Sequence, residues 1–312
     1  MLNCLGIDTS NYTTSIALYD GNNIRHKKRM LKVKNGELGL RQSEAVFQHI
    51  NQIPNLIADI MQIEYGKIKA IGVSKSPRDE EGSYMPCFTV GLSVAKVISE
   101  LCKVPMYTFS HQMGHIVSAL YSANRLDLLS KEFLAFHVSG GTTEAVIVRP
   151  DMKNVIKCER VFKTLDLNAG QAIDRVGVML GLAFPAGMDL EKLALNYTEE
   201  IKTKPCIKGV DCCLSGLENI CKKMKDENES DNKIARFCIE YIINTLDMVC
   251  QKLIRKYGNL PIVFSGGVMS NSIINNRFTK KYGAIFANPE FSSDNAAGLA
   301  ILSAVKGKVY EG

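Results

Sequence analysis

The stretch "LGIDTSNYTTSIAL" (Leu5–Leu18) has a counterpart about half a chain later, "FHVSGGTTEAVIV" (Phe136–Val148). Each sets apolar, β-rich runs on both sides of a short small-polar segment. That pattern predicts two strands joined by a turn, with Ser, Asn, Thr and Gly supplying the turn residues. Internal similarity over so long a separation predicts duplicated lobes and not a short-period solenoid.

The flanking segments extend this plan. Apolar residues at 3–4 spacing predict a helix over Ser43–Tyr65, "IKAIGVSKSP" (68–77) reads as a strand, and Thr89–Cys102 as a second helix. After the second hairpin come helices over Gly170–Leu182 and Lys233–Tyr257, then a strand and glycine turn, "PIVFSGGVMSN" (261–271). A helix from about Ser272 and a last one beginning near Asp294 close the chain, and the charged segment "KKMKDENESDNK" (222–233) predicts an exposed turn. Alternating strands and helices indicate an α/β fold of two related lobes, expected over 1–108 with 292–312 and over 109–291. A ligand cleft is expected between lobes so arranged.

Composition excludes several classes. Of 312 residues, 46% are apolar and 22% charged, the balance of a globular chain and not a disordered one. No apolar run approaches the roughly 18 residues of a membrane span, and "MLNCLGIDTS" lacks the form of a secretory signal. The ten cysteines are scattered without a C-x-x-C pair, and Cys238 and Cys250 occupy apolar helix positions. Free thiols and a cytoplasmic location are therefore expected. The net charge of +6 is concentrated in "RHKKRMLKVK" (25–34), with six Lys or Arg and His26. Such a run is either a solvated hairpin edge, where Lys discourages strand addition, or a landing strip for phosphates.

Three turns are candidate phosphate cradles. "SGGTT" (139–143) and "SGG" (265–267) each put two glycines after an apolar strand, and "DTS" (8–10) offers hydroxyls at the equivalent place in the first lobe. Glycine permits close backbone approach, and successive N–H groups form an anion nest. Neither a Walker A loop nor a Rossmann fingerprint is present.

"SHQMGH" (110–115) puts His111 and His115 on one helical face, a half-site for zinc or iron that needs a further ligand. Gln112 stands where a zinc protease needs its general-base Glu, so proteolysis is disfavoured. Asp294 in "FSSDNAAG" is a candidate third ligand and equally a good helix N-cap. Asp174, on a largely apolar helix, either joins the charges around Arg175 or accepts bonds from sugar hydroxyls. Gly187 and Asn271 follow turns, and turn geometry alone accounts for each.

In this order and spacing, the motifs resemble the TsaD, or O-sialoglycoprotein endopeptidase, family from Leu5 to about Ala304. "SHQMGH" resembles its His-x-x-Gly-His motif and "HVSGGTTEAVIV" its Val-Ser-Gly-Gly-His-Thr loop. "NAGQAIDRVGVMLGLAFPAG" is similar to its Ala-Gly-Glu-Ala-Phe-Asp segment, and "PEFSSDN" to Pro-Glu-Phe-Cys-Thr-Asp-Asn. The resemblance implies an actin/sugar-kinase/Hsp70-like duplicated two-lobe fold. It implies metal-dependent transfer of threonylcarbamoyl from its adenylate to N6 of adenosine 37, in tRNAs reading codons that begin with A. It further implies one divalent metal, Fe2+ or Zn2+, on His111, His115 and Asp294. His137, Val138, Ser139, Gly140, Gly141, Asp174, Gly187 and Asn271 would then surround threonylcarbamoyl-AMP or another adenine nucleotide. Implied partners are tRNA and either TsaB-like and TsaE-like helper proteins or a second copy of the chain, with no membrane.

The chain departs from the family pattern at Asn11, Tyr12 and Thr13, which replace a Cys and two acids, and at Thr142, which replaces His. Ser76-Pro77-Arg78 stands for the family's Gly-Pro-Gly turn, and Gln112-Met113 for Met-Glu. Two other readings remain: a non-catalytic nucleotide- and metal-binding paralogue acting as partner or regulator, and a sugar or acid kinase of the same fold, which leaves the paired histidines unexplained.

Overall fold

The first quoted stretch becomes β1 (Leu2–Ser10) and β2 (Thr13–Tyr19), antiparallel with Gly6 opposite Ala17 and Asp8 opposite Ser15. The structure is a computed structural model that describes residues 2–10, 12–33, 40–61, 67–292 and 295–308. β2 is buried along its whole length, as a strand covered on both faces must be. β3 (Ile24–Met30) follows antiparallel, while β4 (Lys67–Ser76) and β5 (Met106–Ser110) join on the other side of β1 in parallel. The order is β3-β2-β1-β4-β5.

The second stretch repeats this plan. β6 (Phe133–Val138), β7 (Thr143–Asp151) and β8 (Val155–Lys163) form the meander, and β11 (Ile262–Ser265) and β12 (Ile285–Phe286) add in parallel beyond β6. The order β8-β7-β6-β11-β12 matches the first sheet strand for strand. Duplication, as expected, organises the chain.

Helix α1 (Gln42–Met61) buries Ala45, His49, Ile53, Leu56 and Ile60, a single apolar stripe. α2 (Phe88–Cys102), α3 (His111–Ser122) and α10 (Ala297–Lys306) complete the first unit. In the second unit α4 (Ala169–Met179), α5 (Gly187–Leu195), α6 (Ser215–Asp226), α7 (Asp231–Tyr257) and α8 (Ser272–Tyr282) surround Phe136, Phe264 and Phe278. The ring of Phe264 lies 4.8 Å from that of Phe136 and 5.0 Å from that of Phe278. Burying each such ring stabilises by about 1.5–3 kcal/mol. A small hairpin, β9 (Cys206–Lys208) with β10 (Asp211–Cys213), and the short α9 (Pro289–Ser292) complete the elements.

Two compact units result: Met1–Lys131 with Arg149–Cys158 and Glu290–Gly312, and Glu132–Val148 with Glu159–Pro289. α3 therefore belongs to the first unit, where the sequence reading starts the second lobe at 109. The cause is its backbone-close seat on α10: a Cβ on Gly298 would stand 2.0 Å from the carbonyl oxygen of Gly114. Only glycine permits that approach.

Other differences are local. Lys222–Asp226, read as turn, is the last part of α6, whose buried Leu217 and Cys221 lie upstream of the charged run. β9, β10, α5 and β12 are too short or too weakly patterned to be legible. The basic run lies largely on β3, the outer strand of its sheet, which agrees with the hairpin-edge reading; Lys34 lies outside the described residues. No helix among the described residues is long and apolar enough to cross a membrane.

Candidate functional site

Ser110 ends β5 and caps α3, its hydroxyl accepting from the Met113 N–H. This puts His111 at the first helical position and His115 one turn on. Their rings meet at 4.3 Å and nearly perpendicular (81°), with the two Nε2 atoms 2.9 Å apart. Behind His111, its Nδ1 faces the buried Asp8 carboxylate, 3.2 Å from Oδ1 and 3.1 Å from Oδ2. Ser74 Oγ donates to Asp8 Oδ1 at 2.5 Å. A carboxylate accepts only, so His111 carries its proton on Nδ1 and presents the Nε2 lone pair toward His115.

This donor set fits a metal half-site: two imidazole nitrogens side by side, one oriented by a carboxylate from behind. The expected third ligand, Asp294, lies outside the described residues. Among the described residues no group of three His, Cys, Asp or Glu side chains forms a metal-binding set. Asn295, the next residue, is anchored on α3: its Oδ1 accepts from Ser118 Oγ at 2.8 Å, three residues beyond His115. The sequence reading missed Asp8 as a partner of His111, although a carboxylate closing a strand before a polar turn was the available signal. Its neighbour Thr9 is not free for the expected cradle. Thr9 Oγ1 donates to Cys87 O and accepts from the Gly91 N–H, so that hydroxyl is spent anchoring α2.

Among the departures from the family pattern, Thr13 is buried and Tyr12 exposed, and Asn11 lies outside the described residues. Arg78 is held by its backbone, N–H to Ser83 Oγ and carbonyl to Ser76 Oγ. Nearby, His49 is fully buried with Nδ1 2.8 Å from Thr14 Oγ1. Burial pushes its pKa down to about 4, against the opposing pull of Asp8. Its Nε2 and the hydroxyl of Ser10 are buried without a hydrogen-bond partner among the described residues.

The remaining candidates all lie in the second unit. β6 and β11 are adjacent and parallel, with His137 opposite Ser265, so both glycine loops leave the same end of one sheet. Ligands of open α/β sheets bind at such carboxyl ends. His137 Nδ1 meets Ser265 Oγ at 3.1 Å, and a Cβ on Gly266 (φ 98°) would strike Val138 O at 2.3 Å. The Ser139–Thr142 turn is closed by Ser139 N–H to Thr142 O at 2.7 Å, and Ser139 Oγ accepts from the N–H groups of Gly141 and Thr142. Gly140 and Gly141 face open space. α4 begins against this turn: Gly170 N–H donates to Ser139 O, and a Cβ on Gly170 would lie 2.6 Å from Gly140 N.

Asp174, one turn further along α4, accepts from the Ala186 N–H at 2.8 Å and so fixes the approach to α5, where Gly187 is the first residue. It makes no pair with Arg175, which instead bridges to Glu218 at 3.1 Å. Asp174 lines a cavity of about 480 Å3 with Gln171, Arg175, Val178, Phe184 and Glu218. Asn271 is buried and caps α8, its Oδ1 accepting from the N–H groups of Ile273 and Ile274. The structural role suggested by its position is therefore real. The second unit thus holds two glycine loops at one end of its sheet and, lined by other residues of α4 with Phe184 and Glu218, a separate cavity.

Comparison with known proteins follows the same lines. The chain is 26% identical over 326 aligned residues to the tRNA N6-adenosine threonylcarbamoyltransferase of Buchnera aphidicola subsp. Baizongia pistaciae, covering 98% of this chain and 93% of that protein. Among solved structures it is similar to full-length HypF in its phosphate- and nucleotide-bound form (TM-score 0.62, 15% identity, 99% of this chain). The chain spans 56% of that HypF protein's length. It is also similar to component A of the (R)-2-hydroxyglutaryl-CoA dehydratase of Acidaminococcus fermentans (TM-score 0.54, 13% identity, 99% and 100% of the two chains). These likenesses establish the duplicated α/β fold of the actin, sugar-kinase and Hsp70 type. The family model for TsaD, tRNA N6-adenosine threonylcarbamoyltransferase, matches residues 23–301, and the chain belongs to this family.

Proposed function

We propose that this protein transfers a threonylcarbamoyl group from threonylcarbamoyl-AMP to N6 of adenosine 37, in tRNAs that read codons beginning with A. Family membership carries the reading, and the His111–His115 pair backed by Asp8 supports it.

His111 and His115, with Asp294, hold one divalent metal, Fe2+ or Zn2+. When bound, the metal supplies Lewis-acid polarisation of the carbamoyl group. Asp8 keeps the His111 ring in one tautomer and one orientation. In the second unit, His137 to Gly141 and Asn271 hold the adenylate at the ends of β6 and β11, where glycines let the backbone approach the phosphate. Asp174 accepts hydrogen bonds from ribose hydroxyls, and Gly187 leaves room beside it. The adenosine amine attacks the carbamoyl carbon, and AMP departs as a stable phosphate anion. No side chain has to form a covalent bond to the group being transferred.

The reading includes tRNA as partner, with β3 a suitable phosphate contact, and TsaB-like and TsaE-like helpers or a second copy of the chain. Exposed apolar residues on α1 (Phe47 and Ile50) and α2 (Val97 and Leu101) support a protein partner on those helices. Rescue tests the assignment: cells depleted of their own enzyme express this chain, and the modified nucleoside is measured by mass spectrometry. Restoration of the nucleoside is expected. Its absence, with the protein folded and metal-loaded, would overturn the transferase reading.

A further inference from the structure

Outside the candidate site, hairpin β9–β10 sets Cys206 directly opposite Cys213 in register. Side chains alternate along a strand, so the two share one face, and Cys212 between Asp211 and Cys213 turns to the other face and into the core. Directly opposed residues of an antiparallel pair have Cα atoms about 4.5–5.5 Å apart, inside the roughly 4.4–6.8 Å range of disulfides. Cys206 is exposed and Cys213 half-buried, and both are free thiols. Burial and then the Asp166 carboxylate raise the Cys213 thiol, and the Cys206 thiol is close enough to add to the effect.

Seven of the other eight cysteines are buried, and Cys102 is exposed on α2. Burial pushes Cys212 and Cys221 up to about 12, so little thiolate forms there near neutral pH. The Cys206–Cys213 pair is thus set apart by access and by register.

We propose that Cys206 and Cys213 are a redox modification site, closed into a reversible disulfide by a low-molecular-weight disulfide such as oxidised glutathione. Cys206, the more exposed, attacks as thiolate, forms a mixed disulfide and releases one glutathione. Cys213 then attacks the Cys206 sulfur as thiolate, forms the intrachain S–S bond and releases the second glutathione. Two electrons pass from the cysteines to the oxidant, and the two thiol protons end on the two glutathiones. The hairpin is wired to the Ser139–Thr143 turn. Cys212 O accepts from the Leu165 N–H at 2.8 Å, and the Thr164 N–H donates to Thr143 O at 2.9 Å. Closing the disulfide therefore stiffens a segment bonded directly to that loop.

The test treats full-length protein with oxidised glutathione, blocks remaining thiols by alkylation and maps tryptic peptides without reduction. Trypsin cuts after Lys208, between the cysteines, so an intact disulfide holds two peptides together. Expected results are loss of both thiols, recovery of the linked peptides and restoration of both thiols by dithiothreitol. Cys213→Ser is expected to stop at the mixed disulfide on Cys206. Alkylation of both residues under conditions where Cys102 has reacted would overturn the proposal. So would a mixed disulfide that persists on Cys206 in the wild type. Should a serine variant misfold, the wild-type peptide map alone decides.

Discussion

His111 donates its Nδ1–H to Asp8, a carboxylate buried to 0% exposure at the end of the first strand. The bond fixes which nitrogen of His111 is left to face His115. Asp8→Asn keeps the shape and removes the charge that makes the acceptor strong. Metal affinity is expected to fall about 10–100-fold, read by competition with a chelator. An unchanged affinity would mean that Asp8 does not orient the ligand.

His111→Ala combined with His115→Ala removes both imidazoles from α3. The purified double variant is expected to lose its stoichiometric metal, measured by elemental analysis, with its circular dichroism unchanged. Metal content equal to wild type would remove these residues from the site.

Gly170→Ala tests the second unit. Its methyl would lie 2.6 Å from the Gly140 backbone nitrogen, so the Ser139–Thr142 turn must shift. Affinity for AMP is expected to drop about tenfold, equivalent to ~1.4 kcal/mol, by calorimetry. Equal affinity in variant and wild type would dissociate the turn from nucleotide binding.

Gly298→Ala tests the packing that carries the histidines. The added methyl meets the Gly114 carbonyl of α3 at 2.0 Å, and backbone has nowhere to yield. Destabilisation of roughly 1–3 kcal/mol is expected, seen as a lower urea midpoint. The same shift on α3 should weaken metal binding in parallel.

His49 supplies a pH dependence. Its folded pKa, about 4, lies below the 6.5 of an ordinary imidazole, so the unfolded chain binds the extra proton in that interval. Its contribution is complete above the unfolded value and is lost as pH falls toward the folded one, by about 3 kcal/mol at most. The thermal midpoint of wild type should therefore fall between neutral pH and about 4 more steeply than that of His49→Gln. Parallel curves would assign the acid sensitivity to other groups.

Much of this architecture is legible before any fold is seen. The two strand–turn–strand stretches announce the duplication because a strand's pattern is local: apolar alternation and turn residues act within a few positions. The i, i+4 spacing of His111 and His115 is equally local, since a single helical turn brings the rings together. Asp8 and His111 are different. They lie 103 positions apart and meet only because β1 and β5 flank β4 in one sheet.

Sequence alone determined the strand-and-helix alternation, the repeated hairpin, the family and the identity of the candidate ligands. Tertiary structure decided what several of the described side chains bond to. It spent the Thr9 hydroxyl on anchoring α2 and the Asn271 Oδ1 on capping α8. It also assigned α3 to the first unit through backbone contact at Gly114 and Gly298. Neither kind of fact has a signature in local pattern, because it depends on which distant backbone atoms arrive within hydrogen-bond or van der Waals range.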